Sequence, residues 1–193
     1  MAVADRERAP APPSPFVEFV PTPHSVVAKM LEVANPSERD VVYDLGCGDG
    51  RLVIEAARSY GARGVGFDLD PVRVAEARAN VTEAGVDDLV SIAQADVLAV
   101  DLRPASVVLL YLLPALNVRL LPQLARLAPG SRIVSHDYAI EGFEYDDGWT
   151  MTAEHHRRHP KFRQHVVLLW TTPLTASARE DASVRTRPRS RRA

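Results

Sequence analysis

The densest group of chemically useful residues lies between positions 41 and 51, where an apolar run enters a glycine-rich turn. The turn has the pattern Asp44-x-Gly46-x-Gly48-x-Gly50, and an amphipathic stretch follows it. Such a turn lets the backbone approach a small ligand closely, and the amide groups of the following helix N-terminus point towards that ligand. The sequence therefore predicts a cofactor site here, with Cys47 inside the turn.

Two common nucleotide-binding turns do not fit this pattern. A P-loop requires Lys followed by Ser or Thr after its last glycine, whereas Arg51 and Leu52 follow Gly50. The dinucleotide turn G-x-G-x-x-G requires a glycine where Arg51 stands. An acidic residue such as Asp44 beside the turn repels a pyrophosphate and favours a cationic ligand that has no phosphate.

Further acidic residues follow the next two predicted strands. Asp68 and Asp70 come about 20 residues after the turn, where a carboxylate can accept hydrogen bonds from both hydroxyls of a ribose. Asp70 precedes Pro71 and is better explained as the cap of the next helix, so Asp68 is the candidate ribose ligand. Asp96 and Val97 follow the third predicted strand. Taken alone, an aspartate there is more often a turn former.

Together these motifs resemble those of the class I, seven-strand methyltransferases that use S-adenosyl-L-methionine, over about residues 40–137. The resemblance implies that cofactor, whose amino group and sulfonium are cationic. It also implies that Asp96 receives the exocyclic amine of adenine while the next backbone amide donates to a ring nitrogen. The cofactor-binding residues implied in this way are Thr22, Asp44, Gly46, Cys47, Gly48, Asp68, Leu69, Asp96 and Val97.

The fourth predicted strand ends at Tyr111-Leu112-Leu113-Pro114, where this superfamily places residues that face the transferred methyl. Tyr111 is thus the candidate catalytic residue, although a core tyrosine with a satisfied hydroxyl explains it equally well. The N6-adenine and glutamine enzymes carry Asn or Asp, two prolines and an aromatic residue there, and the cytosine-C5 enzymes need a Pro-Cys nucleophile. Neither pattern is present, so nucleic acid is not the expected partner.

The proline-rich segment 15–23, together with residues 48–54 and the Tyr111 motif, is similar to the FAM173-type lysine methyltransferases, which are related to the Dot1 catalytic fold. This resemblance implies N-methylation of a protein lysine, with Thr22 and Phe19 closing the cofactor pocket. Thr22 could instead cap a helix that begins at Pro23. A small-molecule O- or N-methyltransferase and a non-catalytic regulator that binds S-adenosyl-L-methionine remain alternatives.

The elements that must position these residues follow from periodicity. Apolar runs alternate with amphipathic stretches, which is typical of a parallel sheet covered by helices. In the third helix, Val72, Ala75, Ala79 and Val81 should face the core. The resemblance adds an α/β three-layer sandwich with a mostly parallel seven-strand sheet and an antiparallel last strand. Strands are predicted over 41–45, 64–67, 89–93, 107–112, 132–135 and 166–170, with a strand and a loop within 149–165, and helices over 25–34, 52–59, 72–84 and 116–127.

Length and composition set the outer limits. The chain has 193 residues, 46% of them hydrophobic, and one cysteine, which fits a single cytoplasmic domain without a disulfide. No apolar run approaches the roughly 18 residues that cross a bilayer, so no membrane partner is expected. We expect a disordered proline-rich arm over 1–15, a methyltransferase domain over 16–174 and a disordered tail over 175–193. The tail holds six arginines and two acidic residues, a net charge of +4. Because the whole chain has a net charge of −2, the rest of the chain carries −6.

Two histidine-containing groups have weaker implications. His155 and His159 have the spacing of metal ligands on one helix face, but Pro160 ends that helix and no cysteine or carboxylate signature accompanies them, so no metal is predicted. Residues 136–138 end the fifth predicted strand and could contact the substrate, because ligands bind outside the carboxyl ends of parallel strands. No feature of the sequence indicates an oligomeric state.

Overall fold

The computed structural model describes residues 19–154 and 162–177. Within these ranges the strands are β1 (Val41–Leu45), β2 (Arg63–Asp68), β3 (Val90–Gln94), β4 (Val107–Leu110), β5 (Arg132–His136), β6 (Asp147–Glu154) and β7 (Phe162–Thr171). The helices are α1 (His24–Ala34), α2 (Arg51–Tyr60), α3 (Pro71–Ala84) and α4 (Pro114–Leu124). None of these helices has the length and apolar character that would carry it across a membrane.

The strands form one sheet in the order β3-β2-β1-β4-β5-β7-β6. The first five strands pair in parallel. β7 inserts between β5 and β6 and runs antiparallel to both. The predicted α/β architecture, with a mostly parallel seven-strand sheet and an antiparallel last strand, is confirmed.

Alternate residues of the central strands pack on opposite faces of the sheet. In β4, Val107 and Leu109 pack with α1 and α2, whereas Val108 and Leu110 pack with α4. A further cluster joins α2, α3 and β3. Because helices cover both faces, β4 is apolar throughout and fully buried. The layers are therefore helix, sheet and helix.

The position of the site follows from the strand order. β1 and β4 are neighbours in the sheet, yet β2 and β3 separate them in the chain. At such a switch, the connections that leave the carboxyl ends of the two strands diverge and open a crevice between them. The glycine turn follows β1 and Tyr111 follows β4, so both lie at this crevice.

The buried face of α3 differs from the predicted one. Of the predicted stripe, only Val81 is buried, and Val72 is 61% exposed. Small or apolar residues occur on several sides of this helix, so the 3.6-residue period alone leaves its rotation open. Packing against α2 and β3 decides it instead. The residues that face the core are Val74, Ala77 and Val81.

Two element boundaries near the site also differ from prediction. β4 ends at Leu110, two residues early, because its pairing with β1 and β5 stops there. α4 begins at Pro114, two residues before the predicted start at 116, since proline suits the first turn of a helix. Tyr111 therefore lies in the loop between β4 and α4 rather than in the strand.

The C-terminal part of the chain completes the sheet. β6 and β7 confirm that the region 149–165 contributes a strand and the start of the last strand, but His155 and His159 lie outside the described residues. Residues 175–177 belong to the body rather than to the tail, because Thr175 accepts a hydrogen bond from Glu144 and Ser177 donates one to Gly142. Residues 1–15 and the rest of the tail also lie outside the described residues, so the predicted disorder stays a prediction.

Candidate active site

A cleft of about 570 Å³ lies at the carboxyl ends of the parallel strands. This volume is typical of small-molecule and cofactor sites. Gly48 is the one candidate that does not line the cleft itself. The structure brings the other candidate residues together in its wall: Thr22, Asp44, Gly46, Cys47, Asp68, Leu69, Asp96, Val97 and Tyr111.

The glycine turn is tied to the neighbouring strand by its backbone. The amides of Gly46 and Cys47 both donate to the carbonyl of Phe67, at 2.8 and 2.9 Å. Gly48 has a φ of +55°, and a Cβ placed on it would lie 2.0 Å from the ring of Phe19. The absence of a side chain at Gly48 therefore lets Phe19 cover the turn. The guanidinium of Arg73 lies over the ring of Phe19, 5.0 Å from the ring centroid.

Thr22 is held at the cleft by two contacts rather than by a helix cap. The residue that caps α1 is Pro23, and no side-chain hydrogen bond accompanies it, so a capping role for Thr22 is wrong. The carbonyl of Thr22 accepts a hydrogen bond of 2.7 Å from Arg51, whose guanidinium also pairs with Asp49. The Thr22 hydroxyl lies 3.4 Å from Nδ1 of His136. Arg51 thus joins the N-terminal segment to the glycine turn.

Asp44 is a buried carboxylate at the base of the cleft. Its residue is 2% exposed, and its Oδ2 atom has no hydrogen-bond partner among the described residues. Burial raises the pKa of Asp44 to about 8, and the nearby Asp68 and Asp49 add to this shift. Burial also raises the pKa of the Cys47 thiol, with a further contribution from Asp44, so Cys47 is not an activated nucleophile.

Asp68 connects two loops of the site. One of its carboxylate oxygens accepts from the amide of Gly48 and the other from the amide of Asp70, each at 2.9 Å. Asp70 itself accepts from the amide of Val72 at 2.8 Å, which confirms it as the cap of α3. A carboxylate has about four acceptor positions, so Asp68 keeps acceptor capacity towards the cleft.

The loop after β3 forms the next part of the wall. Asp96 accepts a hydrogen bond of 2.9 Å from the amide of Leu98, which is the turn-forming role, and it also lines the cleft. Val97 beside it is buried. Leu69 is 49% exposed at the rim, and its carbonyl accepts from the side chain of Gln94 at 3.2 Å.

Tyr111 lies at the end of the cleft nearest β7. Its ring packs on His136, with centroids 4.0 Å apart, and on Tyr138, with centroids 6.2 Å apart. Its hydroxyl accepts a hydrogen bond of 3.3 Å from Arg163. Burial and Asp137 raise the pKa of Tyr111 while Arg163 lowers it, and the net direction is upward. The hydroxyl is therefore satisfied, as in a core tyrosine, and Tyr111 also lines the cleft. Its catalytic role stays a prediction.

Of residues 136–138, one lines the cleft and another is buried behind its wall. Tyr138 lines the cleft, whereas His136 is fully buried behind Tyr111. His136, Asp137 and His165 place possible ligand atoms within 4.8 Å of one another. Arg163 already pairs with the Asp137 carboxylate, and its positive charge opposes a second cation there.

Sequence reasoning missed Arg163 and His165, which reach this region from β7. No motif marks either residue, and Arg163 is 52 positions from Tyr111 in the chain. The one local signal is the alternation of side chains between the two faces of β7, which turns His165 towards the interior.

Residues 44–147 match a family model described as the ANTKMT methyltransferase domain. This chain belongs to that family. It is therefore a class I methyltransferase that depends on S-adenosyl-L-methionine, and the predicted enzyme class and cofactor are confirmed.

Individual relatives agree with this membership. A protein-lysine N-methyltransferase of Saccharolobus islandicus is 44% identical over 131 residues, which cover 67% of this chain and 81% of the relative. A crystal structure of an RNA methyltransferase from Salinibacter ruber, in complex with S-adenosyl-L-homocysteine, is 45% identical with a TM-score of 0.69 and covers 84% of this chain and 98% of that one. A methyltransferase structure from Geobacter sulfurreducens, at 23% identity and a TM-score of 0.53, shares the fold.

The ANTKMT-family site suits a cationic cofactor without phosphate. Asp44 offers a buried carboxylate oxygen with no partner among the described residues. The described wall of the cleft contains five aspartates and three arginines, so its balance of formal charge is negative. A cofactor with an amino group and a sulfonium stabilises such a wall, whereas a pyrophosphate would be repelled.

Replacing Gly48 with alanine should weaken cofactor binding about tenfold. The new Cβ displaces Phe19, and losing about 60 Å² of apolar contact is worth about 1.5 kcal/mol. Calorimetric titration with S-adenosyl-L-methionine measures the change.

Gly85→Ala is the matched control for this variant. Gly85 also has a positive φ, of +67°, but nothing lies within 4 Å of an added Cβ. It should reproduce the backbone strain, roughly 1 to 2 kcal/mol of stability, without the loss of affinity. Equal affinity losses in the two variants would refute the Phe19 explanation.

Proposed function

We propose that this methyltransferase transfers the methyl group of S-adenosyl-L-methionine to the side-chain amine of a protein lysine. The observation that carries the proposal is the negative charge of the cleft wall, which attracts a cationic acceptor. Even with Asp44 protonated, four aspartates of the wall stand against three arginines. The 44% identical relative from Saccharolobus islandicus, which is named as a protein-lysine N-methyltransferase, supports the same acceptor.

The cofactor contacts follow the family pattern onto residues of the cleft wall. Asp68 accepts from the ribose hydroxyls, and Asp96 with the amide of Val97 binds the adenine. Asp44 lies near the cationic amino group, beside the backbone of Gly46, Cys47 and Gly48. The remaining contacts come from the buried Thr22 and from Leu69 at the rim. The cofactor supplies an activated methyl group, so the protein contributes alignment and the exclusion of water.

The acceptor amine must reach the methyl without its proton. Tyr111 is the catalytic residue of this proposal because it lines the end of the cleft towards β7. The raised pKa of Tyr111 leaves its hydroxyl neutral at pH 7, so it is not the base. The lysine loses its proton to solvent before the transfer, and Tyr111 orients the neutral amine.

An RNA acceptor is the second candidate, because the 45% identical structure from Salinibacter ruber is named as an RNA methyltransferase. Phosphate groups bind surfaces rich in lysine and arginine. The negative cleft wall and the net charge of −6 outside the predicted tail therefore favour the lysine acceptor.

Transfer of labelled methyl from S-adenosyl-L-methionine into a host lysate distinguishes the two acceptors. We expect the label to be lost from the macromolecular fraction after protease digestion and to appear as methyl-lysine after acid hydrolysis. Asp68→Ala serves as the control with weakened cofactor binding. Label that resists protease and is released by ribonuclease would refute the lysine acceptor, and label found only in small molecules would identify a small-molecule enzyme.

A further inference from the structure

The side of the cleft formed by β7 contains an arginine that touches both a partly buried carboxylate and the tyrosine of the site. We propose that Arg163 is a positioning residue that holds the Tyr111 hydroxyl for the acceptor amine, and that Asp137 in turn holds Arg163. This inference rests on the proposed function, since it assigns a role in orienting an amine.

The contacts form a continuous chain. One guanidinium nitrogen of Arg163 donates to the Tyr111 hydroxyl at 3.3 Å and to the Asp137 carboxylate at 2.5 Å. The side chain of Asp137 is 12% exposed and that of Arg163 is 33% exposed, so water screens this ion pair incompletely. A single charged group is therefore shared between the carboxylate and the phenol.

Asp137 is itself held in an unusual conformation. Its φ is +64°, a left-handed value that is unfavourable for a residue with a side chain. Its amide donates to the carbonyl of Val166 at 2.7 Å, and its carboxylate accepts from the amide of Val166 at 3.1 Å. The paired backbone of β7 thus determines where the carboxylate lies. Strain of this kind is typical of residues whose orientation matters at a functional site.

The chemical consequence concerns the acceptor capacity of the Tyr111 oxygen. A neutral amine must direct its lone pair at the methyl, so its N–H groups need acceptors elsewhere. Arg163 occupies one acceptor position of the phenol and restricts its rotation, which leaves the other for the amine. Because Asp137 neutralises Arg163, the positive charge does not repel a lysine side chain.

A double-mutant cycle tests whether Arg163 acts through Tyr111. Tyr111→Phe and Arg163→Met should each lower kcat roughly tenfold, the effect of losing one charge-assisted hydrogen bond, with the Kd for S-adenosyl-L-methionine unchanged within about twofold. The double variant should match Tyr111→Phe alone. Multiplicative losses, or a wild-type kcat in Arg163→Met, would overturn the inference.

Arg163→Lys provides a second variant in case Arg163→Met does not fold. Lysine keeps the charge beside Asp137 but lacks the planar set of donors, so it should retain the cofactor affinity and lose kcat. Arg103→Met is the matched control, because Arg103 forms an exposed pair with Asp101 away from the cleft. That control should keep the wild-type kcat.

A spectroscopic titration tests the same contact without turnover. The difference in tyrosinate absorbance between the wild type and Tyr111→Phe isolates Tyr111 from the other tyrosines. Within residues 19–154 and 162–177, the groups around its hydroxyl are Arg163, Asp137 and Tyr138, and the buried imidazoles of His136 and His165 lie behind them. Removing the Arg163 cation should move the Tyr111 titration to higher pH.

The two readouts separate the two hypotheses. A shifted titration in an enzyme that does not methylate lysine would refute the proposed function and leave the Arg163–Tyr111 contact standing. An unshifted titration, with lysine methylation intact and multiplicative losses of kcat, would overturn the inference alone.

Discussion

Asp68→Ala should lower the affinity for S-adenosyl-L-methionine about 100-fold or more. The variant removes the carboxylate proposed to accept hydrogen bonds from both ribose hydroxyls, and bonds to charged groups are worth roughly 1.5 to 3 kcal/mol each. The variant also removes the acceptor that the Gly48 amide uses, so the glycine turn loses its tie to the end of β2. Calorimetric titration with the cofactor and with S-adenosyl-L-homocysteine measures both affinities.

Asp70→Ala is the matched control for this prediction. Asp70 lies two residues further on and also lines the cleft, but its carboxylate caps α3. Losing that cap should cost about 1 kcal/mol of stability and change the cofactor affinity far less. The reverse pattern, with affinity lost in Asp70→Ala and kept in Asp68→Ala, would assign the ribose to Asp70.

The free enzyme should become less stable as the pH rises, and Asp44 should cause much of this dependence. The pKa of Asp44 is raised to about 8 in the folded protein, against about 3.9 for an aspartate in an unfolded chain. Between these values the folded state holds a proton that the unfolded state has released. The free energy of unfolding therefore falls with increasing pH across that window, by up to about 1.4 kcal/mol per pH unit from this group.

Urea unfolding at pH 5, 6, 7 and 8 tests this dependence. Asp44→Asn cannot ionise, so its stability should fall less steeply than that of the wild type over the same range. Asp101→Asn is the control, because hydrogen bonds from Arg103 lower the pKa of Asp101 to about 2 and its titration lies below this window. Parallel curves for the wild type and Asp44→Asn would contradict a raised pKa at Asp44.

Features that depend on residues close in the chain could be predicted from the sequence, whereas features that depend on distant contacts could not. The cap at Asp70, the turn at Gly46–Gly50 and the succession of strands and helices along the chain all depend on neighbouring residues, so composition and spacing are enough to predict them. The rotation of α3 is different, because Val72 and Val74 are equally apolar. The surface against which the helix packs buries Val74 and leaves Val72 exposed.

The cofactor half of the site was largely predictable because a parallel sheet brings the carboxyl ends of its strands to one edge. Motifs that follow β1, β2 and β3 must then meet, and their candidate residues do line one cleft. The succession of these motifs along the chain can be read directly from the sequence. The family match over residues 44–147 reflects the same information.

The acceptor half was not predictable in this way. Arg163 reaches Tyr111 across 52 positions, and no motif marks it. The contact of Phe19 with Gly48 spans 29 positions, but it belongs to the cofactor pocket, which the proline-rich motif predicted that Phe19 would close. Both contacts exist because the N-terminal segment and the antiparallel strand β7 return to the edge where the parallel strands end. The amino-acid sequence was enough to predict the fold class, the glycine turn and the carboxylates that lie at the ends of β2 and β3. Which side chains surround Tyr111 follows only from the folded structure, because long-range packing, not local spacing, brings them together.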